Sequence, residues 1–461
     1  MRFPYPSLIE WQELWKAWDF VSLSMIPKPQ LLHKPIDLRN QYIFYLGHIP
    51  TFLDIHLAQA TGEVGVVSER YRHIFGRGVD PDVNEPRKCH RHSEIPEQWP
   101  DLDEILKFVS CIRTRVEDLY EFGGENLKQR SKKLRRALWM AFEHEAMHLE
   151  TLLYMLLQAP PTRPLPGVVK PIWSIEESRP TPVGELCYNP WIDIPQRELS
   201  IGIDDSEDED LVPYGWDNEK PRRTGIIVPR FQAKRAPICV GDYVNYLASK
   251  NEHQTHVPAT WIPNINPPPT KDMTPQQRIL NTFSLRTFFG PLPLANPYSR
   301  TLPVVASYDE LAACASWLGG RIPTQEEVLS IYEYKAEQDT AKDTLRDKDP
   351  GTIGTENGRT NADGITKTPK LHKLFTKFGS ETVVGFQEWM WSSVCGHKES
   401  LCGRGETGGA WEWTSTVLDR HDGFREQKEY PEYTGIFAVC SYIASELVRL
   451  TRSLDIGSGL F

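Results

Sequence analysis

Apolar residues recur at helical spacing along the first third of the chain. Between Leu8 and Trp18 they fall at 8, 11, 14, 15 and 18, one face of a helix. Gln41 to Ala60 is a second apolar-periodic stretch, with Pro50 early in it as a kink or a fresh helix start. From Leu102 to Leu119, positions 102, 105, 106, 109, 112, 116 and 119 repeat at i, i+3 and i+4. The spacing predicts a fourth helix over 129–158, entered after Gly123-Gly124 and stopped against Pro160-Pro161. Four long helices predict a bundle over residues 1–160, joined in part by a polar crossover from Gly76 to Pro100.

Beyond Ala159 this pattern breaks. Prolines crowd 159–195, so 161–195 is expected to act as a linker. Short mixed stretches come next at 199–203 and 224–231, then a helix-like one at 308–318, all punctuated by Gly, Pro, Asn and Trp. With no long helical pattern among them, this half is expected to be α+β with much irregular loop. Lys335 to Lys373 is polar and rich in Thr, Asp, Lys and Gly, the composition of a mobile insertion. No repeat of 20–50 residues is visible.

Composition narrows the partners. The 461 residues are 39% hydrophobic and 25% charged, a globular balance, and the formal net charge is −10. That sign argues against nucleic acid, which is bound through clustered Lys and Arg. No run approaches the ~20 apolar residues of a membrane span. The opening Met1-Arg2-Phe3-Pro4-Tyr5-Pro6 lacks a signal-peptide layout. Eight scattered cysteines are too few for a disulfide scaffold. The expectation is a cytoplasmic protein with reduced thiols and no membrane partner. Fourteen Trp supply large aromatic anchors.

The chemistry is concentrated in Phe142-Glu143-His144-Glu145-Ala146-Met147-His148-Leu149-Glu150. His144 and His148 are four apart, so both imidazoles project from one helix face and can reach one metal ion. Glu150 cannot share that face; it is placed to orient a ligand or to pair with a neighbouring helix. A third ligand has to come from another helix. His48, in Tyr45-Leu46-Gly47-His48-Ile49-Pro50, lies in an apolar stretch where a histidine needs a polar reason to be buried. His56, eight residues on, is its competitor. Three neutral imidazoles with open positions suit Fe(II) or Zn(II). The stretch also fits His-Glu-x-x-His, which would make Glu145 the general base of a zinc protease. Cys89-His90-Arg91-His92 reads as part of the polar crossover, and Cys395 and Cys402 lack a second pair for a structural zinc site.

These motifs together resemble the ergothioneine-type sulfoxide synthases, in particular their fungal branch. The first half is similar to a DinB-like four-helix bundle carrying His-x3-His-x-Glu as His144, His148 and Glu150, with the earlier metal histidine at His48. The second half resembles the formylglycine-generating-enzyme (sulfatase-modifying-factor) domain, a C-type-lectin-like fold, over 196–435. The segments that carry this likeness are 200–204, 214–221, 320–327 and Gly409-Ala410-Trp411-Glu412-Trp413-Thr414. The resemblance implies a mononuclear non-haem Fe(II) enzyme on His48, His144 and His148. Such an enzyme uses dioxygen to join a thiol, cysteine or γ-glutamylcysteine, to the imidazole of hercynine and oxidises the sulfur to a sulfoxide. The related ovothiol-type 5-histidylcysteine sulfoxide synthases act on unmodified histidine instead. The resemblance also implies a catalytic tyrosine from the second half. Tyr430 is chosen over Tyr433 for that role, while Trp411 and Trp413 are expected in the lectin-like core. Arg77, Asp80 and Asp82 are expected to fold the crossover rather than bind substrate.

Two departures from the family pattern stand out. The chain starts directly at the bundle, where fungal relatives carry a histidine methyltransferase domain. After about 435 the expected Gly-Gly-Ser-Trp segment and Arg-ending tail are replaced by an atypical stretch, 436–461. From these the expectation is a metal-competent bundle with a destabilised second half, or a catalytically impaired paralogue.

Overall fold

The structure, a computed structural model, describes residues 5–37, 39–79, 89, 91–121, 132–159, 191–204, 214–250, 257–269, 271–346, 391, 393, 394, 410–417 and 421–426. It is mixed helical and sheet, and among the described residues every strand lies in the second half.

Helix α1 (Leu8–Asp19) begins at a capping box, Ser7 with Glu10, and buries Trp11, Leu14, Trp15 and Trp18, the face its spacing predicts. A π-helical turn, Phe20–Met25, continues it. Helix α2 (Tyr42–Thr61) is one continuous helix with Pro50 inside, so no fresh helix starts there, and it ends at Gly62 with φ of 74°. Its neighbours surround it, which is why its apolar residues do not keep to one face. They are α3 (Glu69–Phe75), α4 (Leu102–Glu121) and α5 (Lys132–Gln158). Helix α1 lies against α5. No described helix is long and apolar enough to cross a membrane.

The second half is built from small antiparallel sheets. Strand β1 (Trp191–Ile194) pairs with β4 (Phe231–Lys234), and β2 (Arg197–Ile201) with β3 (Arg223–Val228). Strand β1 lies within the stretch expected to be linker; its pairing with β4, forty residues on, leaves no local signal. Helix α6 (Val240–Lys250) packs on α7 (Pro275–Thr282) beside a three-stranded sheet of β5 (Trp261–Pro263), β6 (Phe283–Leu285) and β7 (Leu292–Pro293). Val240, Tyr243, Leu247, Trp261, Ile279 and Leu285 form its core. Helix α8 (Tyr308–Trp317) matches the helix-like stretch there.

Helix α9 (Gln325–Arg346) corrects two expectations: a long helix does exist in this half, and it runs into the stretch read as insertion. Its apolar residues are concentrated in its first turns, where Val328 is buried and Leu329 packs on Leu199, Ile201 and Val228 of β2 and β3; the rest of its length is largely polar. Arg197 of β2 adds a polar clasp, its guanidinium over the Tyr334 ring at 5.9 Å and paired with Glu337 at 3.1 Å.

The two halves share buried surface. Tyr214, Trp216, Phe288, Trp391 and Ala410 belong to the same apolar cluster as the helices. Trp139 of α5 packs against Tyr214 and Trp216 at 6.0 and 5.3 Å, and Arg136 sits 5.3 Å over the Tyr214 ring.

Candidate metal centre

Helix α2 delivers His48, and α5 delivers His144 and His148 one turn apart. His144 Nε2 is 3.2 Å from His48 Nε2 and 3.1 Å from His148 Nε2. One ligand nitrogen from each ring lies within 4.8 Å of the others. Among the described residues this is the sole group of three or more His, Cys, Asp or Glu able to share an ion.

Burial sets the protonation. It pushes the His48 imidazolium down to about 4, against the opposing pull of the Phe75 carbonyl. His144 is held well below the usual histidine range by burial, then by the neighbouring imidazoles. His148 is held well below it by burial, then by His48 and the charge of Arg39. All three rings are therefore neutral at pH 7, with lone pairs available to a cation.

Orientation is partly built in. His48 Nδ1–H donates to the Phe75 carbonyl at 2.7 Å, which leaves the Nε2 lone pair facing the other rings. Phe44 stacks on His48 at 5.0 Å and Phe52 on His144 at 3.7 Å. The Nδ1 atoms of His144 and His148 are buried with no hydrogen-bond partner among the described residues. Three neutral nitrogens crowded together, two of them on rings with an orphaned second nitrogen, suit a bound cation better than a bare hydrogen-bond network. The donor set, three imidazoles and no thiolate, fits Fe(II) or Zn(II).

His56 does not join. It is buried, but Phe52 lies between it and His144, 4.2 Å from His56. Eight residues carry it ~12 Å along the helix from His48 and roughly 80° around it. Glu145 faces away, towards Arg113, Asp19 and Trp15. Burial raises its carboxyl to about 7, and Arg113 opposes that rise. It is not placed as a base for a metal-bound water, which removes the protease geometry. Glu150 turns from the imidazoles to the second half, accepting the Trp411 indole N–H at 2.8 Å. Trp411 accordingly lies on α5, with Tyr154 edge-on at 5.3 Å, rather than wholly within the core of its own half. Trp413 does stay there, donating to the Ala306 carbonyl and packing on Tyr308.

Arg77 fastens the crossover through its backbone, exchanging hydrogen bonds with Ser93. Tyr430, Tyr433, Asp80, Asp82, His90, Cys395, Cys402 and the stretch 436–461 lie outside the described residues. A cavity of ≈450 Å³ opens in the second half, walled by Trp191, Tyr332, Trp411, Glu412 and Trp413; no imidazole of the cluster lines it. The residues that sequence reasoning missed are Gly47, Phe75 and Phe52. The signal for Gly47 was a glycine beside a histidine inside an apolar helix.

No protein-family model matches the chain. It is 38% identical to ergothioneine biosynthesis protein 1 of Neurospora crassa over 476 residues, 95% of this chain and 53% of that protein. It is 30% identical to ergothioneine biosynthesis protein 1 of Schizosaccharomyces pombe over 459 residues, 94% of this chain and 51% of that protein. Along nearly its whole length, the chain is similar to fungal ergothioneine biosynthesis proteins. It spans about half the length of these curated relatives.

Proposed function

We propose that this relative of the ergothioneine biosynthesis proteins is a mononuclear non-haem iron enzyme, a C–S bond-forming sulfoxide synthase. The observation that carries the reading is the convergence of the three Nε2 atoms of His48, His144 and His148. In this reading α1–α5 form a DinB-like bundle, and the second half is the sulfatase-modifying-factor-like domain that closes the substrate site at the seam.

The balance is simple: a thiol S–H, an imidazole C–H and O2 become one C–S(=O) sulfoxide and one water. Bound Fe(II) supplies redox chemistry towards dioxygen and a Lewis-acid position for the thiolate. The chain supplies the rest. His48, His144 and His148 stay neutral because they are buried, so they offer nitrogen lone pairs at any physiological pH. Phe75 fixes the tautomer of His48, and Phe44 and Phe52 hold two rings in place and keep water from them. Tyr430 is the residue assigned to proton delivery, on family resemblance. The acceptor is hercynine, and the donor is cysteine or γ-glutamylcysteine.

The test is turnover followed by mass spectrometry. The purified chain is mixed with Fe(II), air, one of the two thiols, and either hercynine or histidine, beside His144→Ala. A sulfoxide adduct of hercynine, absent from the control, is expected. An adduct with histidine alone would move the chain to ovothiol-type chemistry, and no adduct with iron bound would count against the enzyme reading.

A further inference from the structure

His144 and His148 share a helix, so α5 alone sets their spacing. His48 arrives from α2, and its orientation depends on contacts outside its own helix. Of the three Nδ1 atoms, that of His48 alone has a partner among the described residues, the Phe75 carbonyl at 2.7 Å. Phe75 closes α3, where a helix leaves its last carbonyls unpaired, so this one is free for a side-chain donor.

What brings the end of α3 so near to α2 is the absence of a side chain at residue 47. A Cβ placed on Gly47 would lie 2.4 to 2.5 Å from three carbons of the Phe75 ring. That ring is fully buried and has little room to yield. Trp99 stacks on it at 5.6 Å, Tyr71 meets it edge-on at 5.1 Å, and Phe44 lies 6.2 Å away. Phe44 also stacks on His48, so one aromatic group holds both the ring of the carbonyl-bearing residue and the ligand.

We propose that Gly47 and Phe75 are positioning residues for the metal centre: the close fit of Gly47 against the Phe75 ring seats the α3 carbonyl that locks His48 with Nε2 towards His144 and His148. The inference rests on the metal-centre reading above, and its test separates the two. Two readouts are needed, the His48 tautomer by nitrogen-detected NMR of the metal-free chain, and Co(II) affinity with its visible absorption spectrum.

In the wild type the metal-free chain is expected to show a single His48 tautomer carrying its proton on Nδ1. Gly47→Ala is expected to mix the tautomers and weaken Co(II) binding about 10–100-fold, the usual effect of losing such an outer partner. Gly47→Ala/Phe75→Leu removes the ring carbons in the way and keeps the carbonyl, so it should regain most of the affinity and the wild-type spectrum. A metal-free wild type with the His48 proton on Nε2 overturns the inference, and this holds even if Gly47→Ala fails to fold. So does a Gly47→Ala chain that binds Co(II) like the wild type. A wild type with the expected tautomer that binds no Co(II) overturns the metal reading itself, and the positioning role with it.

Discussion

His48 and His144 are buried and His148 is half-buried beside them, where a proton would be costly, and that governs both ligation and pH behaviour. His144→Ala or His148→Ala should abolish Fe(II) or Co(II) binding measured by titration calorimetry, and His48→Ala should do the same. His56→Ala should leave it intact, because Phe52 separates that ring from the cluster. Loss of metal in His56→Ala with retention in His48→Ala would reverse the assignment. The metal-free chain should also lose stability in mild acid. His48 and His56 titrate near 4 in the folded chain and near 6.5 when unfolded, so protons favour the unfolded state across that window. Each contributes a loss of about 1.4 kcal/mol per pH unit as pH falls from ~6.5 towards 4. His144 and His148 add to the loss in the same direction. Glu145 opposes it, since its folded carboxyl titrates near 7 and takes up a proton first. Four histidines against one carboxylate predict a net fall. Urea midpoints at pH 7.5 and 5 check this, and an unchanged or higher midpoint at pH 5 would contradict it.

Among the elements, α2 carries most of the burden, and one ion pair fixes the loop beyond its end. Asp54 is fully buried, accepts Arg115 of α4 at 2.6 Å, and takes the Val67 N–H at 2.8 Å. Gly65 is required beside it, because a Cβ there would lie 2.6 Å from the Asp54 carboxylate. Arg115→Ala would strand that carboxylate in the core, at a cost of about 3 kcal/mol seen by chemical denaturation. A loss well under 1 kcal/mol would mean water reaches Asp54. The predicted helices at 8–18 and 102–119 stand as α1 and α4 because one face of each meets the core and the other meets solvent. Helix α2 was legible as apolar but not as unbroken, since Pro50 reads as an interruption and packing on several sides overrides it. Helix α9 was missed for another reason: its main apolar positions, Val328, Leu329, Ile331 and Tyr332, span little more than one turn, and the polar length beyond them is held in part by Arg197.

For the molecule as a whole, the seam matters most. Trp411 reaches across it to Glu150, two residues from His148, so the second half grips the helix that bears two of the imidazoles. Trp411→Phe keeps the edge contact with Tyr154 and removes the N–H. In a double-mutant cycle with Glu150→Ala, the coupling measured by denaturation should be about 1.5–3 kcal/mol, the value of a hydrogen bond to a charged acceptor. A coupling near zero would make the contact incidental. Strands β2 and β3 fall where short mixed stretches stand in the sequence, while the shared core of Trp139, Tyr214 and Trp216 left no trace there.

By itself the sequence determined the local things: where helices run, and that His144 and His148 look the same way, because 3.6 residues per turn is a property of the backbone. Tertiary structure decided whatever depends on distance through space. It chose His48 over His56 across 96 residues of chain, sent Glu150 to Trp411 instead of an imidazole, and put Phe75 against Gly47. It also stripped the protons from the cluster, since burial comes from how helices pack and not from the order of residues along any one of them.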